Sequence, residues 1–310
     1  MNNVPRNDSN RRLPWLAALL SFIMVGLGQV YAGRLIRGLV FALATGLVLS
    51  AALVLLAGVG PLPTVPFGVL AVVAALGLTL AAALDAYWVA AKTSPDYELK
   101  AYNHPAVYVL LGLLVMGNSI GYTLHIRSSL FTAFRITTGS MYPTIGVNDR
   151  ILVDKRAYRQ ANPQRGDIVV FHPPTGHWRS NNIKRIIAVG GDSISMRNGA
   201  LHVNGQRLPR ERVSSEAPAR AAGQTPQGII YHEHNSNTRY QIFLTTGTPP
   251  DQLDFGEITI PEHHCFVLGD NRCESTDSRQ FGPIPYALIL GRANYIYWPG
   301  PDWSRFGRLE

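Results

Sequence analysis

Two side chains of this 310-residue chain, Ser140 and Lys184, are placed for acyl-transfer chemistry. Ser140 stands in Arg135-Ile-Thr-Thr-Gly-Ser-Met-Tyr-Pro-Thr-Ile-Gly146, where Gly139 and Pro143 bracket a constrained turn. Such a turn can hold the hydroxyl outward and aim the Ser140 backbone N–H into the same space. A serine hydroxyl alone is a poor nucleophile and needs a partner base. Lys184 lies inside Asn182-Ile-Lys-Arg-Ile-Ile-Ala-Val189, a β-branched apolar run that reads as a strand. Alternation puts Lys184 on one face with Ile186 and Ala188. Burial there disfavours the ammonium and lowers its pKa, and a neutral amine can take a proton from a serine. The competing reading is an edge-strand lysine that snorkels to water. A third segment, residues 269–282, crowds Asp270, Asn271, Arg272, Asp277, Ser278 and Arg279 behind an apolar strand. That density reads either as a loop held in shape by its own hydrogen bonds or as an ordinary turn with solvated charges.

The elements that must position these residues are strands. After Ser129, short β-type runs alternate with Gly, Pro, Asn and Asp. They begin at Arg150, Asp167, Ile183, Ser193, Tyr240, Cys265 and Ala293, and they predict an all-β region. Asn204-Gly205 is a strong hairpin signal. Residues 211–227, rich in Ala, Pro, Ser and Arg, read as a mobile loop.

The first part of the chain has a different texture. Hydrophobic residues make up 46% of the sequence and charged ones only 15%, and the charge is thinnest between Leu13 and Leu124. Apolar runs cover residues 13–30, 39–59, 67–91 and 106–124, the longer ones near the roughly 20 residues a spanning helix needs. The first run could pass for a signal peptide, but another apolar run follows at once, so a membrane-embedded segment is expected. Broken by Gly26 and Gly28, it reads either as a full span or as a re-entrant or interfacial hairpin. Arg34, Arg37, Lys92 and Lys100 sit in two of the connecting loops, and the loop at residues 60–66 carries no charge. Basic loops face the cytoplasm, so everything after Leu124 is expected outside it. Residues 26–33 resemble the glycine-rich turn of small two-helix membrane modules; the physical reading is close helix packing through small residues. Asp85 reads as an interfacial residue paired with Arg34 or Arg37. The net charge of +8 is spread out, which suits anionic lipid and excludes a nucleic-acid grip. No C-x-x-C pair or third histidine at ligand spacing supports a metal site, and Cys265 and Cys273 are either a disulfide or two thiols.

Taken together, the three polar segments resemble the signature boxes of bacterial type I signal peptidases, membrane-bound Ser/Lys endopeptidases. Thr138-Gly-Ser-Met-Tyr-Pro-Thr144, Arg165-Gly-Asp-Ile-Val-Val-Phe171, residues 184–192 and residues 269–279 follow the family's four boxes in order. The resemblance covers residues 135 to about 298. It implies that Ser140 is the nucleophile and Lys184 the general base. The Ser140 N–H and the Thr138 hydroxyl would form the oxyanion hole, Ser275 would orient Lys184, and Asp277 would pair with Arg279. Asp270 and Asn271 would shape the loop. Thr138 replaces the family's usual serine, Cys273 and Glu274 replace a common Asp-Asn pair, and Ala188 and Gly190 depart within the second box. No cofactor is implied.

The expected architecture is a helical membrane module over residues 1–105, an anchor over 106–124, and an extracytoplasmic β peptidase domain over 125–310 with an inserted β region at about 200–262. The expected location is the bacterial inner membrane, crossed several times. Ile136, Met141 and Ile145 could line a shallow pocket near Ile183 that admits small residues of a preprotein signal peptide. Membrane lipid and the translocation machinery are the other expected partners. Trp298 and Trp303 read as interface anchors, or Trp298 as a core aromatic. Two other readings stay open: a processing protease dedicated to one client such as a conjugation pilin, and an inactive membrane scaffold.

Overall fold

The apolar runs fold as helices and the β-branched runs as strands, in two separate units, Met1–His125 and Ile126–Glu310. The computed structural model describes residues 12–58, 64–93, 97–174, 181–215, 227–300 and 302–309.

In the first unit, α1 (Pro14–Ile23) opens on a proline, tolerated there because the first N–H has no intrahelical partner. The chain turns at Gly26, φ +94°, into α2 (Leu27–Tyr31). The first apolar run is therefore two short helices and not one span. A Cβ on Gly26 would overlap the Gly38 carbonyl, and one on Gly28 the Ala17 carbonyl, so the glycine-rich stretch is close helix packing. Helices α3 (Leu35–Gly58), α4 (Thr64–Ala91) and α5 (Pro105–His125) follow. The buried Gln29 amide donates to the Ala82 carbonyl at 2.8 Å and to Asp85 at 3.2 Å. Asp85 also lies 3.7 Å from Arg37, which decides between its two expected partners. Among the described residues, one helical stretch, Val69–Ala91, is long and apolar enough to cross a membrane. Pro14–Ile23, Leu35–Ser50 and Pro105–Leu114 are shorter apolar stretches.

The second unit contains fifteen strands among its described residues. They are β1 (Phe131–Arg135), β2 (Arg150–Asp154), β3 (Ile168–Phe171), β4 (Asn182–Val189), β5 (Ser193–Arg197), β6 (Ala200–Val203), β7 (Gln206–Arg207) and β8 (Arg210–Ser215). Then come β9 (Gly228–Asn235), β10 (Thr238–Thr245), β11 (Phe255–Thr259), β12 (His264–Leu268), β13 (Ile284–Pro285), β14 (Ile289–Trp298) and β15 (Gly307–Arg308), with the short helix α6 (Ser278–Phe281) between β12 and β13. The main sheet runs β1-β2-β14-β3-β4-β12-β13, with β15 on β14. Two smaller sheets, β10-β9-β8 and β11-β5-β6-β7, come from chain between β4 and β12. Asn204 and Gly205, at φ +52° and +72°, make the expected two-residue hairpin between β6 and β7.

Three expectations need correcting. Residues 211–215 belong to β8, paired with β9, because neighbouring strands satisfy backbone groups that composition alone assigned to a loop; residues 216–226 lie outside the described residues. Trp298 is no core aromatic: it is 51% exposed and meets Trp303 edge-on at 5.5 Å. Strict alternation along β4 fails. A bulge opposite β12 lets Ile186 pack with Val169 and Phe171 while Ile187 and Ala188 both join another core cluster. Both cysteines are free thiols.

Candidate active site

The Ser140 turn follows β1 and sits over a core of Ile136, Met141, Ile145, Ile151 and Val153. Met141 and Ile145 are fully buried and anchor the turn from below. The Ile145 N–H donates to the Met141 carbonyl at 2.9 Å, closing one helical turn. Asn271 ties this turn from outside. Its N–H donates to the Ser140 carbonyl at 3.1 Å, and its side-chain amide donates to the Gly139 carbonyl at 3.3 Å. A peptide's C=O and N–H point oppositely. Pinning the Gly139 carbonyl therefore turns the Ser140 N–H away from Asn271, and that N–H has no partner among the described residues. Thr138 is exposed, with its hydroxyl 3.4 Å from Ser140 Oγ.

Lys184 comes from β4, a central strand buried along most of its length. It is 4% exposed, which rules out the snorkelling reading. Its Nζ lies 2.8 Å from Ser140 Oγ and donates to the Ile183 carbonyl at 2.9 Å. Burial pushes its pKa down to about 8, helped by the Arg279 charge and opposed by Asp277 and Asp270. The neutral amine is thus far more populated near neutral pH than in free lysine and can accept the serine proton.

The loop after β12 is held by its own polar groups, not by solvent. Asp277 is fully buried. It accepts from the Gly269 N–H at 3.0 Å and from Arg279 Nε and Nη2 at 2.8 Å each. It also caps α6, and the Gln280 side chain accepts from the Asp277 N–H at 2.7 Å, a reciprocal capping box. A Cβ on Gly269 would overlap both the Ser140 carbonyl and the Ser275 side chain, so glycine is required where the loop meets the turn. Ser275 Oγ is buried and has no hydrogen-bond partner among the described residues; it does not touch Lys184 in this form.

Beside this centre lies a buried ionic core whose pairings cannot be read from spacing. Arg185, adjacent to Lys184 on β4, makes two 2.9 Å bonds to Asp270, and both side chains are buried. The Arg185 guanidinium stacks on Tyr240 at 4.3 Å, and the Thr144 hydroxyl donates to Asp270 at 2.5 Å. One carboxylate thereby joins β4, the Ser140 turn and the loop. The Tyr240 hydroxyl donates to Glu233, which also holds Arg272 and Arg210. Burial alone would raise the Glu233 carboxyl, but the two guanidinium groups hold it down at about 2. An arginine inside an apolar strand signals a buried carboxylate somewhere, so Arg185 had a legible signal. Glu233 between two histidines had none.

The four residues expected to line a pocket share one apolar cluster. Ile136 and Ile183 reach its surface at 5% and 8% exposure, whereas Met141 and Ile145 at 0% only back it.

Residues 108–298 match the family Signal peptidase, peptidase S26. That span contains the Ser140 turn, the Lys184 strand and the whole polar loop. The chain is 32% identical to Signal peptidase I of Leptolyngbya laminosa, over 64% of this chain and 82% of that one. It is 34% identical to Signal peptidase I of Pseudomonas aeruginosa, over 58% and 70%. With Probable signal peptidase I-2 of Synechocystis sp. it shares 32% identity over 57% and 67%. A serine and a buried lysine within hydrogen-bond reach, inside the matched region, agree with that likeness, and the chain belongs to the signal peptidase family, peptidase S26.

Proposed function

We propose that the chain is a membrane-bound serine endopeptidase that removes N-terminal signal peptides from exported preproteins after small residues of the Ala-x-Ala type. The observation that carries this is the 2.8 Å approach of Lys184 Nζ to Ser140 Oγ at a buried site. Neutral Lys184 takes the Ser140 proton as Oγ attacks the scissile carbonyl. The tetrahedral oxyanion forms against the Ser140 N–H and the Thr138 hydroxyl, a donor pair in which each member is typically worth on the order of 10²–10³ in rate. Lys184 then gives its proton to the leaving amine, and the C–N bond breaks. Lys184 then takes a proton from a water that attacks the acyl-Ser140 carbonyl, and the resulting ammonium gives that proton to Oγ as the ester C–O bond breaks. Ile136 and Ile183 form the apolar surface beside the nucleophile, where a small side chain fits and a large one clashes.

Incubation of the full-length protein with a preprotein carrying Ala-x-Ala is expected to release the signal peptide, and leucine at the residue before the cut is expected to abolish cleavage. Cleavage that survives Ser140→Ala would sink the proposal. The pH profile is the second check. The active form is the neutral amine, so kcat/KM is expected to rise through an apparent pKa of about 8 and fall away below it. A limb near the value of free lysine, about 10.4, would contradict a buried base.

Ser275 has a role in this scheme that its geometry at rest does not reveal. A Lys184 ammonium has three donors, and Ser140 and the Ile183 carbonyl take two. The unused Ser275 hydroxyl is the third acceptor as the proton arrives. Ser275→Ala is expected to destabilise the ammonium, shifting the acidic limb to lower pH while lowering kcat. An unmoved limb would assign Ser275 to packing alone.

The membrane arrangement extends the same proposal. Several crossings, with the loops carrying Arg34, Arg37, Lys92 and Lys100 in the cytoplasm, leave the β unit on the extracytoplasmic side. Residues 106–124 then anchor it and confine enzyme and preprotein to one surface. The exposed Trp298, Trp303 and Phe306 cluster suits contact with lipid at the interface.

A further inference from the structure

A cavity of about 430 Å³ in the first unit takes no part in the peptidase chemistry. It opens where α4 ends. Among the described residues, Arg34, Arg37, Lys92 and Lys100 line it with a single carboxylate, Asp85. Asp85 is already engaged by the Gln29 amide and by Arg37. Arg34, Lys92 and Lys100 have no carboxylate partner among the described residues. The cavity is thus strongly cationic and carries a surplus of unspent donors.

Its walls are built rather than incidental. The Tyr97 hydroxyl donates to Asn103 Oδ1 at 2.9 Å, and the Asn103 amide donates to the Val30 carbonyl at 2.9 Å. A Cβ on Gly33 would overlap the Tyr97 ring, so a glycine keeps this wall close. Tyr97 also carries the Arg12 guanidinium 5.1 Å from its ring centre, and the Tyr31 ring carries it at 4.5 Å.

The position of the cavity selects the class of anion. Lys92 is the first residue past the membrane-length stretch Val69–Ala91. At 1.5 Å per residue that stretch matches the roughly 30 Å hydrocarbon thickness, which places Lys92 at headgroup depth. Trp88, on the cavity wall, is 61% exposed, as interfacial aromatics are. Basic pockets at the cytoplasmic ends of helices suit anionic phospholipid headgroups. We propose that this cavity binds a phosphate ester, and that its occupant in the membrane is the headgroup phosphate of an anionic phospholipid.

The test uses the full-length protein in nanodiscs of phosphatidylcholine with a minority of phosphatidylglycerol, extracted and read by native mass spectrometry. Wild type is expected to retain one phosphatidylglycerol in preference to phosphatidylcholine. The triple variant Arg34→Gln, Lys92→Gln, Lys100→Gln is expected to weaken that retention about a hundredfold, from the usual contribution of each basic residue near an anionic surface. Because a misfolded variant would also lose lipid, Asp85→Asn is the complementary arm. It removes the only carboxylate among the described residues that line the cavity and is expected to strengthen retention, a gain that misfolding cannot give. Equal retention of the two lipids, or retention unchanged in the triple variant, would overturn the proposal. Displacement of the lipid by millimolar inorganic phosphate would overturn the lipid assignment in favour of a soluble phosphate. Preprotein cleavage in detergent is read in parallel and is expected to be unchanged in both variants, so the lipid site and the peptidase proposal fail or stand separately.

Discussion

Lys184→Met is expected to lower kcat/KM for a preprotein by about 10⁴-fold or more, the range seen when a nucleophile–base unit is broken. Methionine keeps the unbranched stem that fills β4's buried environment and removes only the amine. Lys184 is 4% exposed, and keeping an amine in that setting costs desolvation. The variant is therefore expected to melt no lower than wild type, which separates lost chemistry from lost structure. Ser140→Ala should lose activity to a similar extent. The two groups act as a unit across 2.8 Å, so the double variant is expected to be scarcely worse than either single one. Losses that multiply would mean that Ser140 and Lys184 act in different steps. Cleavage rates with one purified preprotein, paired with thermal melts, decide between these outcomes.

Asp270→Ala is expected to be the most destabilising single change near the site, at about 3–5 kcal/mol, because it strips the carboxylate from a buried guanidinium. Arg185 would retain its bond to the Gly166 carbonyl and its stacking on Tyr240, but not its countercharge. The Thr144 hydroxyl would lose its acceptor at the same time, freeing the end of the nucleophile turn. For a unit of this size the melting temperature is expected to fall by about 10 °C. Residual activity should fall further than the folded fraction accounts for, since Asp270 links the turn to the base strand. Asp270→Asn keeps an acceptor for Arg185 and is expected to lose less. A thermal melt of Asp270→Ala that matches wild type would show that Arg185 reaches water or another carboxylate.

The strands at Arg150, Ile183, Ser193 and Cys265 were legible because short β-branched runs between turn residues leave few alternatives. The hairpin at Asn204-Gly205 was legible because few residues tolerate two successive positive φ angles. Strand β8 was missed because its Glu, Arg and Ser residues run on into an Ala- and Pro-rich stretch whose composition says loop, whereas β9 supplies the partner that satisfies its backbone hydrogen bonds. The alternation along β4 misled for a related reason: a bulge depends on the facing strand, and no local pattern encodes it. The break in the first apolar run was legible from its glycines, and the close approaches of Gly26 and Gly28 supply the cause.

For the site, the sequence determined which groups are present and their local setting. A serine on a glycine-proline turn, a lysine within an apolar strand and a polar loop after another strand are all local facts, and together they carry the family resemblance. Only the tertiary structure decided how those groups meet. Ser140 and Lys184 are 44 residues apart, and whether a strand lysine snorkels or is buried depends on its strand lying between β3 and β12 rather than at an edge. The Arg185–Asp270 pair spans 85 residues, and Arg272–Glu233 spans 39. A buried charge demands a countercharge, but its sequence does not say which one. That choice rests on which strands become neighbours, and neighbours are set by packing across the whole sheet.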